Sequence, residues 1–240
     1  MNRTALDQYE GLVTDALNSC SAKLRKSFKT AFIQLMILYM VLPRKINFTQ
    51  MGRYSDSSEQ RFRQLFEREF DWIQFNLFLM RQRFGESVRK AIAIDASHIS
   101  KSGKKTPYIG KFWSGCASQV KRGLEILGIG IVDIDSRDCM MLRAEQTPDK
   151  AYLEKQGEDY NLVDWYLDVL RKYKDKLLRI TRYVVADAWF SKAKFVGEAC
   201  LLGFHVISRL RDDAALWYAH DGVRTGKRGR PRIKGRKIDF

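Results

Sequence analysis

The chain has 240 residues, of which 45% are hydrophobic and 30% charged, and Lys and Arg outnumber Asp and Glu by 43 to 28, a formal net charge of +15. This length fits one large domain or two small ones, and the apolar fraction excludes a disordered chain. The positive excess predicts a polyanionic partner. Nucleic acid is favoured over an anionic membrane, because the Arg-rich segments contain Gly and Pro and do not form one amphipathic lipid-binding helix.

The cysteines and the apolar segments exclude several other classes of protein. Four cysteines, none of them in a Cys-x-x-Cys pair, predict reduced thiols and argue against a structural zinc site or a disulfide framework. The first residues do not resemble a signal peptide, and the longest apolar run, Ala31 to Leu42, has 12 residues and is too short to span a bilayer. We therefore expect a cytoplasmic protein with no membrane partner.

The first 89 residues are predicted to be helical. Apolar residues at helical spacing cover Leu6 to Leu17 and Phe28 to Leu42. Two shorter helices are expected to follow, the first capped by Thr49 and the second by a sequence that resembles a capping box, Asp56 with Glu59.

The outer face of the second short helix carries Arg and Gln side chains. Phe62 and Leu65 form an apolar stripe, and Arg61, Arg63 and Gln64 lie off that stripe. Two short helices joined by a tight turn, with such an outer face, are what a helix-turn-helix needs to lie in the major groove of DNA. The alternative is a plain helical hairpin with a solvated basic face.

The hydrophobic pattern changes at Lys90, where β-strand signals begin. Five strands are predicted, at Ala91–Ile94, Leu124–Val132, Cys139–Ala144, Arg182–Ala186 and Phe204–Leu210. Two helices are predicted among them, at Tyr160–Leu177 and from a cap at Ser191 to about Leu202. The order is therefore β-β-β-α-β-α-β, and the β-α-β crossovers make the later strands parallel. The prediction is an α/β fold, a mixed sheet with helices packed on it.

Two of the predicted strands are each followed at once by an aspartate, Asp95 after the first and Asp187 after the fourth. When these strands lie side by side, both carboxylates reach one end of the sheet, and a divalent cation relieves their repulsion. Oxygen ligands suit Mg²⁺ or Mn²⁺, which can assist displacement at a phosphodiester. A single aspartate at a strand end is commonly a cap or a surface residue. The pair on a basic chain instead favours catalytic, metal-binding roles for both.

Basic residues follow the predicted strands near the two aspartates. Lys104, Lys105 and Lys111 come after the first strand, and Arg209 and Arg211 come at the end of the fifth. We expect these side chains to contact phosphates. A solvated loop is the alternative for the lysines.

The last segment, residues 222–240, holds eight basic residues against one acid and shows no apolar period. It is predicted to be extended. Within it, Arg228, Arg230 and Arg232 alternate with Gly and Pro, which resembles the core of an AT-hook, a motif whose arginines enter the narrow minor groove of A·T-rich DNA.

Four segments together point to a known family. They are Ala-Ile-Asp-Ala-Ser-His-Ile-Ser-Lys-Ser-Gly-Lys-Lys-Thr around Asp95, Val-Ala-Asp-Ala-Trp-Phe-Ser-Lys around Asp187, Val-Ile-Ser-Arg-Leu-Arg from Val206, and Gly-Lys-Arg-Gly-Arg-Pro-Arg ending at Arg232. Across about residues 90 to 237, the chain resembles bacterial insertion-sequence transposases of the Asp-Asp-Glu type, near the group named after insertion sequence four.

The resemblance implies an RNase H-like core with two catalytic Mg²⁺ ions. It also implies cleavage of double-stranded DNA at transposon ends, strand transfer to target DNA by the freed 3′-hydroxyl, a homodimer, and a location on the bacterial nucleoid. Asp95 and Asp187 match the first two catalytic acids of the family. The third, a glutamate in a Tyr-x-x-Arg-x-x-x-Glu signature, has no match, because the only glutamate after Asp187 is Glu198, on the helix before the fifth strand.

We therefore expect a transposase that is truncated before the third acid and inactive by itself. The predicted regions are a DNA-binding region over 1–89, a catalytic core over 90–221 and the start of a basic insertion over 222–240. Two other functions stay open: a DNA-binding remnant or regulator without chemistry, and a different RNase H-like nuclease such as a resolvase.

Overall fold

A computed structural model of the chain describes residues 4–20, 23–43, 46–85, 89–103, 105–211, 214–222 and 232–238. The α-helices in these ranges are α1 (Ala5–Ser19), α2 (Lys26–Val41), α3 (Phe48–Arg53), α4 (Glu59–Phe66), α5 (Trp72–Phe84), α6 (Lys150–Gln156), α7 (Leu162–Leu178) and α8 (Ala193–Leu201). The strands are β1 (Lys90–Ser100), β2 (Gly110–Ser114), β3 (Gln119–Asp133), β4 (Asp138–Gln146), β5 (Tyr183–Ala186), β6 (His205–Ser208), β7 (Trp217–Ala219) and β8 (Lys234–Lys237).

The N-terminal helices enclose a hydrophobic core of their own. Its side chains come from α1 to α5, and Val13, Leu17, Phe32, Phe62 and Phe75 are almost fully buried in it. The sequence prediction of helices in this part of the chain is correct, because the apolar residues that set the helical period are the ones that pack together here.

The caps of the two short helices differ from the prediction. The side chains of Asn47 and Ser58 cap α3 and α4, in place of Thr49 and Asp56. Thr49 lies inside the first turn of α3, and its hydroxyl donates a hydrogen bond to a carboxylate oxygen of Glu59 at 2.9 Å. Several polar residues lie near the start of each helix, and the cap is the one whose backbone is extended.

The main sheet is mixed, with the strand order β2-β3-β1-β5-β6, and β4 pairs with β3 beside it. The pairs β1–β3, β2–β3 and β3–β4 are antiparallel, whereas β1–β5 and β5–β6 are parallel. The predicted first and fourth strands correspond to β1 and β5, and they are neighbours as expected. Their register sets Ile94 opposite Ala186.

The structure corrects the predicted strand ends and adds elements to the predicted order. β1 does not stop before Asp95 but continues to Ser100, because its second half pairs with residues 123–127 of the long strand β3. β2, α6 and the pair β7–β8 were not predicted, and β8 lies inside the segment expected to be an extended loop. The cap of α8 is Lys192 and not Ser191, whose hydroxyl bonds back to Ala188.

A second core lies between one face of the sheet and the helices α7 and α8. In the second half of β3 every other residue is buried, and Leu127, Ile129 and Ile131, which belong to this core, have no exposed surface. Such alternation is typical of a strand with one face packed on helices. The four cysteines are free thiols, as predicted. No helix in the described ranges has the length and apolar character needed to cross a membrane.

Candidate active site

Asp95 and Asp187 come directly after the paired residues Ile94 and Ala186 of two adjacent parallel strands. The chain therefore leaves both carboxylates at the same level of the sheet. β5 ends at Ala186, so Asp187 stands at a strand end, whereas Asp95 is held within β1 by its pairing with Gly128.

Both aspartates line one cavity of about 670 Å³. Its wall combines acids, bases and aromatic side chains from the sheet, from α7 and from the turn after β5. The other lining residues are Ala96, Lys111, Phe112, Trp113, Glu125, Leu162, Tyr166, Trp189, Phe190 and Arg211. Acidic groups among basic and aromatic ones suit a polyanion that must approach a bound cation.

Each carboxylate has a local hydrogen-bond donor and remains exposed to solvent. The hydroxyl of Ser97 lies 3.3 Å from Asp95 Oδ2, and the backbone N–H of Trp189 donates to Asp187 Oδ1 at 3.0 Å. The hydroxyl of Ser208, on the neighbouring strand β6, donates to the backbone carbonyl of Asp187 at 2.7 Å. The first two bonds orient the carboxyl groups and leave oxygen atoms available for a ligand, and the third holds the backbone at Asp187.

Glu125 is a third carboxylate on the cavity wall and is not among the site residues predicted from the sequence. It is only 6% exposed, and its Oε1 accepts a hydrogen bond of 2.6 Å from the hydroxyl of Tyr166 on α7. Burial, together with the nearby Glu125 charge, raises the pKa of Tyr166, so this hydroxyl stays protonated and keeps donating. A glutamate at a core-facing position of the alternating strand β3 was the available signal.

Basic groups stand around the carboxylates. Lys111, on the unpredicted strand β2, and Arg211, after β6, line the cavity. The Nζ of Lys192 lies 3.4 Å from the centre of the Trp189 ring, and burial followed by the charge of Arg211 lowers the pKa of Lys192. The predicted phosphate contacts at Lys111 and Arg211 are therefore adjacent to the aspartates.

The aspartates suit a hard cation that retains water ligands. Mg²⁺ in proteins is commonly held by one or two carboxylates, and its other positions are taken by water and substrate phosphate. Within the described part of the chain, no three or more His, Cys, Asp or Glu side chains are arranged to hold a metal ion together. Asp95 and Asp187 thus fit as a partial ligand set with open positions.

The predicted DNA-contacting residues of α4 have different surroundings. The guanidinium of Arg61 turns back onto α2 and donates to the Ser27 carbonyl at 3.3 Å. Arg63 pairs with Glu59 and lies over the ring of Phe48, while Gln64 is exposed. Arg63 and Gln64 are therefore on the accessible side of α4, and Arg61 is partly engaged within the helical unit.

The remaining predicted contacts are spread over the surface. Lys105, Arg209 and Arg232 are exposed, and the Nε of Arg232 donates to the Lys234 carbonyl at 3.0 Å. Three further predicted contacts, Lys104, Arg228 and Arg230, lie outside the described residues.

Glu198 does not contribute to the cavity. It lies on α8, and its carboxylate is 4.0 Å from the guanidinium of Arg171 on α7. As the sequence analysis expected, the only glutamate after Asp187 is on an element that does not lead to the site.

Comparison with known proteins gives one family. A family model described as DDE superfamily endonuclease matches residues 25–240, which is most of the chain. A search of curated proteins finds no match.

Proposed function

The chain belongs to the DDE superfamily endonucleases, and from this premise we propose that it cuts phosphodiester bonds in double-stranded DNA with Mg²⁺ or Mn²⁺ held by Asp95 and Asp187. One observation carries the proposal: two carboxylates that follow a paired position on adjacent parallel strands open into one cavity with basic walls.

Each polar residue of the cavity has a role in this proposal. Asp95 and Asp187 would hold the metal ion, which would supply Lewis-acid polarisation of the phosphodiester and a water ligand of lowered pKa. Lys111 and Arg211 bind non-bridging phosphate oxygens and orient the scissile bond. Tyr166 holds the Glu125 carboxylate against the wall through its hydroxyl.

We further propose that the enzyme is a transposase that acts on transposon ends and transfers the cut strand to target DNA as a homodimer. The sheet order supports this reading. Because β4 pairs with β3, the strands also follow the order β4-β3-β1-β5-β6. The pairs on one side of β1 are antiparallel and those on the other side are parallel. We assign this order to an RNase H-like core over residues 90–221.

The DNA-binding role is proposed for residues 1–89 and for the basic side chains outside the cavity. α3 and α4 form the expected pair of short helices, and Arg63 and Gln64 face outward from α4. Lys105, Arg209 and the basic segment 222–240 would add contacts to the sugar–phosphate backbone.

We expect cutting by this chain alone to be slow. Two aspartates are the ligands that fit, and Glu198, the glutamate that follows them in sequence, pairs with Arg171 instead. An incomplete ligand set leaves the metal ion poorly positioned, and reaction geometry depends on that position.

The test is a nicking assay on supercoiled DNA with Mg²⁺ or Mn²⁺, in which wild type is compared with Asp95→Asn and Asp187→Asn. We expect a slow, metal-dependent nicking that each substitution lowers by at least about a hundredfold, while duplex binding is unchanged. Glu198→Gln is the matched control, because it also removes one carboxylate but leaves the cavity intact, and it should nick like wild type.

Two results would contradict the proposal. If both aspartate variants nick as fast as wild type, the cavity is not the active site. If wild type binds DNA but no metal ion elicits nicking at any enzyme concentration, the alternative of a DNA-binding protein without chemistry is favoured.

A further inference from the structure

A second cavity, of about 380 Å³, lies at the far end of the sheet from the aspartates and carries four cations. It is formed where the end of α5, the start of β1 and the end of α7 meet. Its lining residues are Gln74, Leu77, Met80, Arg81, Gly85, Lys90, Lys176, Arg179 and Ile180. Three elements of the chain thus converge on a concave site, and none of the described residues that line it is an acid.

Most of these cations are not neutralised by the residues that the structure describes. Lys176 pairs with Asp71 at 2.6 Å. The side chains of Arg81, Lys90 and Arg179 make no hydrogen bond or ion pair with any residue that the structure describes.

Neighbouring arginines show that acids were within reach of this region. Arg83, two positions after Arg81, is 2.8 Å from Asp138, and Arg89, next to Lys90, is paired with Asp135. The unpaired cations are therefore the ones that face the cavity, while those on either side are paired. Mutual repulsion of cations around one concave site is relieved when an anion occupies it.

We propose that this pocket, which we call the distal basic pocket (Arg81, Lys90, Lys176 and Arg179), binds neighbouring backbone phosphates of the DNA that enters the active site. This inference rests on the proposed function. The ligand chemistry is a phosphate group, and DNA is favoured over a free phosphate because the active-site cavity on the same sheet is suited to a phosphodiester chain.

The spacing between the two cavities agrees with one duplex that reaches both. Lys90 and Asp95 lie on the same strand, and five residues of strand span about 17 Å. α7 also joins the cavities, since Leu162 lines the first and Arg179 the second, and the helix between them spans about 25 Å at 1.5 Å per residue. At 3.4 Å per base pair, a separation of about 17 to 25 Å corresponds to roughly five to seven base pairs of B-DNA. The pocket would hold the duplex away from the cut and set its direction.

The experiment compares two double variants that lose the same charge. Arg81→Gln with Arg179→Gln removes two of the four cations of the pocket, while Arg83→Gln with Arg171→Gln removes two arginines of α5 and α7 that are already paired with acids. The binding constant K for duplex DNA is measured without divalent metal ions at several salt concentrations. The pocket variant should lower the slope of log K against log salt by about 1.8, from two lost phosphate contacts at about 0.9 each, and the control by less than half of that.

Folding and ligand source are checked in the same series. All four substitutions replace exposed side chains, and the urea midpoints of both doubles should match wild type. Lys90→Gln alone should lower the slope by about 0.9 and supplies an independent variant. Calorimetric titration with pyrophosphate tests whether the pocket binds a free anion. If pyrophosphate binds wild type but not the pocket double, and both doubles bind DNA alike, the pocket binds a free phosphate. That result would overturn the DNA proposal.

Other outcomes also decide the matter. A further outcome is that the two double variants bind DNA with equal salt slopes and that pyrophosphate does not bind to the pocket. In that case the cations only complement the carboxyl ends of α5 and α7, and the inference fails. If wild type nicks DNA in that case, the proposed function stands without it. If wild type neither binds nor nicks DNA, both fail together.

Discussion

At the scale of single residues, the two aspartates of the cavity have unlike backbone settings. Asp187 follows the last residue of β5 and accepts a hydrogen bond from the N–H of Trp189, as a capping residue does. Asp95 lies within β1, where the ladder to β3 continues past it. Asparagine keeps the shape and the acceptor oxygen of both side chains, so Asp→Asn variants test charge and metal binding without removing the local hydrogen bonds.

Glu145 gives a prediction about pH at this scale. Its carboxylate is half-buried, and its Oε1 contacts the Tyr173 hydroxyl, Arg143 at 3.0 Å and Lys172 at 3.5 Å. Burial by itself would raise the pKa of Glu145, but the hydrogen bond from Tyr173 and the charges of Arg143 and Lys172 lower it overall. A carboxyl whose pKa is lower in the folded than in the unfolded state contributes stability above its unfolded pKa, about 4.3, and loses it as pH falls through the folded value.

We therefore expect Glu145→Gln to lower the free energy of unfolding by about 2 kcal/mol at pH 7. The difference from wild type should narrow below about pH 4, where the wild-type carboxyl becomes protonated. Urea denaturation at pH 7, 5 and 3 measures this. A difference that stays constant over the whole range would show that the ionised form of Glu145 contributes nothing.

At the scale of elements, the sequence predicted helices α1 to α4, α7 and α8, the mixed sheet and the neighbouring positions of β1 and β5, because each depends on a local apolar period and on short connections. β2 was missed because its five residues become a strand through pairing with β3, which is not a local property. Glu125 was missed for a similar reason: a glutamate in a strand is ordinarily exposed, and only Tyr166, distant in sequence, makes its burial tolerable.

The turn between α3 and α4 depends on Gly52. A Cβ added there would lie 2.8 Å from the backbone nitrogen of Glu59, and backbone atoms cannot move aside as a flexible side chain can. Gly52→Ala should therefore push α3 and α4 apart and lower the free energy of unfolding by about 1–3 kcal/mol. If α4 is the DNA-reading helix, duplex affinity should fall with it.

Gly11→Ala is the matched control for this prediction. Nothing lies within 4 Å of a Cβ at Gly11, in the middle of α1, so alanine there should raise stability by about 0.5–1 kcal/mol through its helix propensity. Urea denaturation and a duplex-binding titration of both variants measure the outcome. Equal stability of the two variants would rule out the close α3–α4 contact.

At the scale of the whole molecule, α5 joins the two cores. Phe75 is buried among the N-terminal helices, and five residues later Met80 is buried against the sheet. The side-chain amide of Asn76 donates to the Leu142 carbonyl of β4 at 2.9 Å, and Lys176 of α7 pairs with Asp71 at the start of α5. The proposed DNA-binding helices are thus held against the sheet layer by packing and by polar contacts. The chain as a whole carries a formal charge of +15.

The central claim is that Asp95 and Asp187 together bind one divalent cation. Titration of Mn²⁺ followed by electron paramagnetic resonance measures this without DNA and without any need for turnover. The account predicts that wild type and Glu198→Gln bind Mn²⁺ alike, and that Asp95→Asn and Asp187→Asn each weaken binding by at least about tenfold. Mn²⁺ binding that is the same in wild type and in both aspartate variants would contradict it.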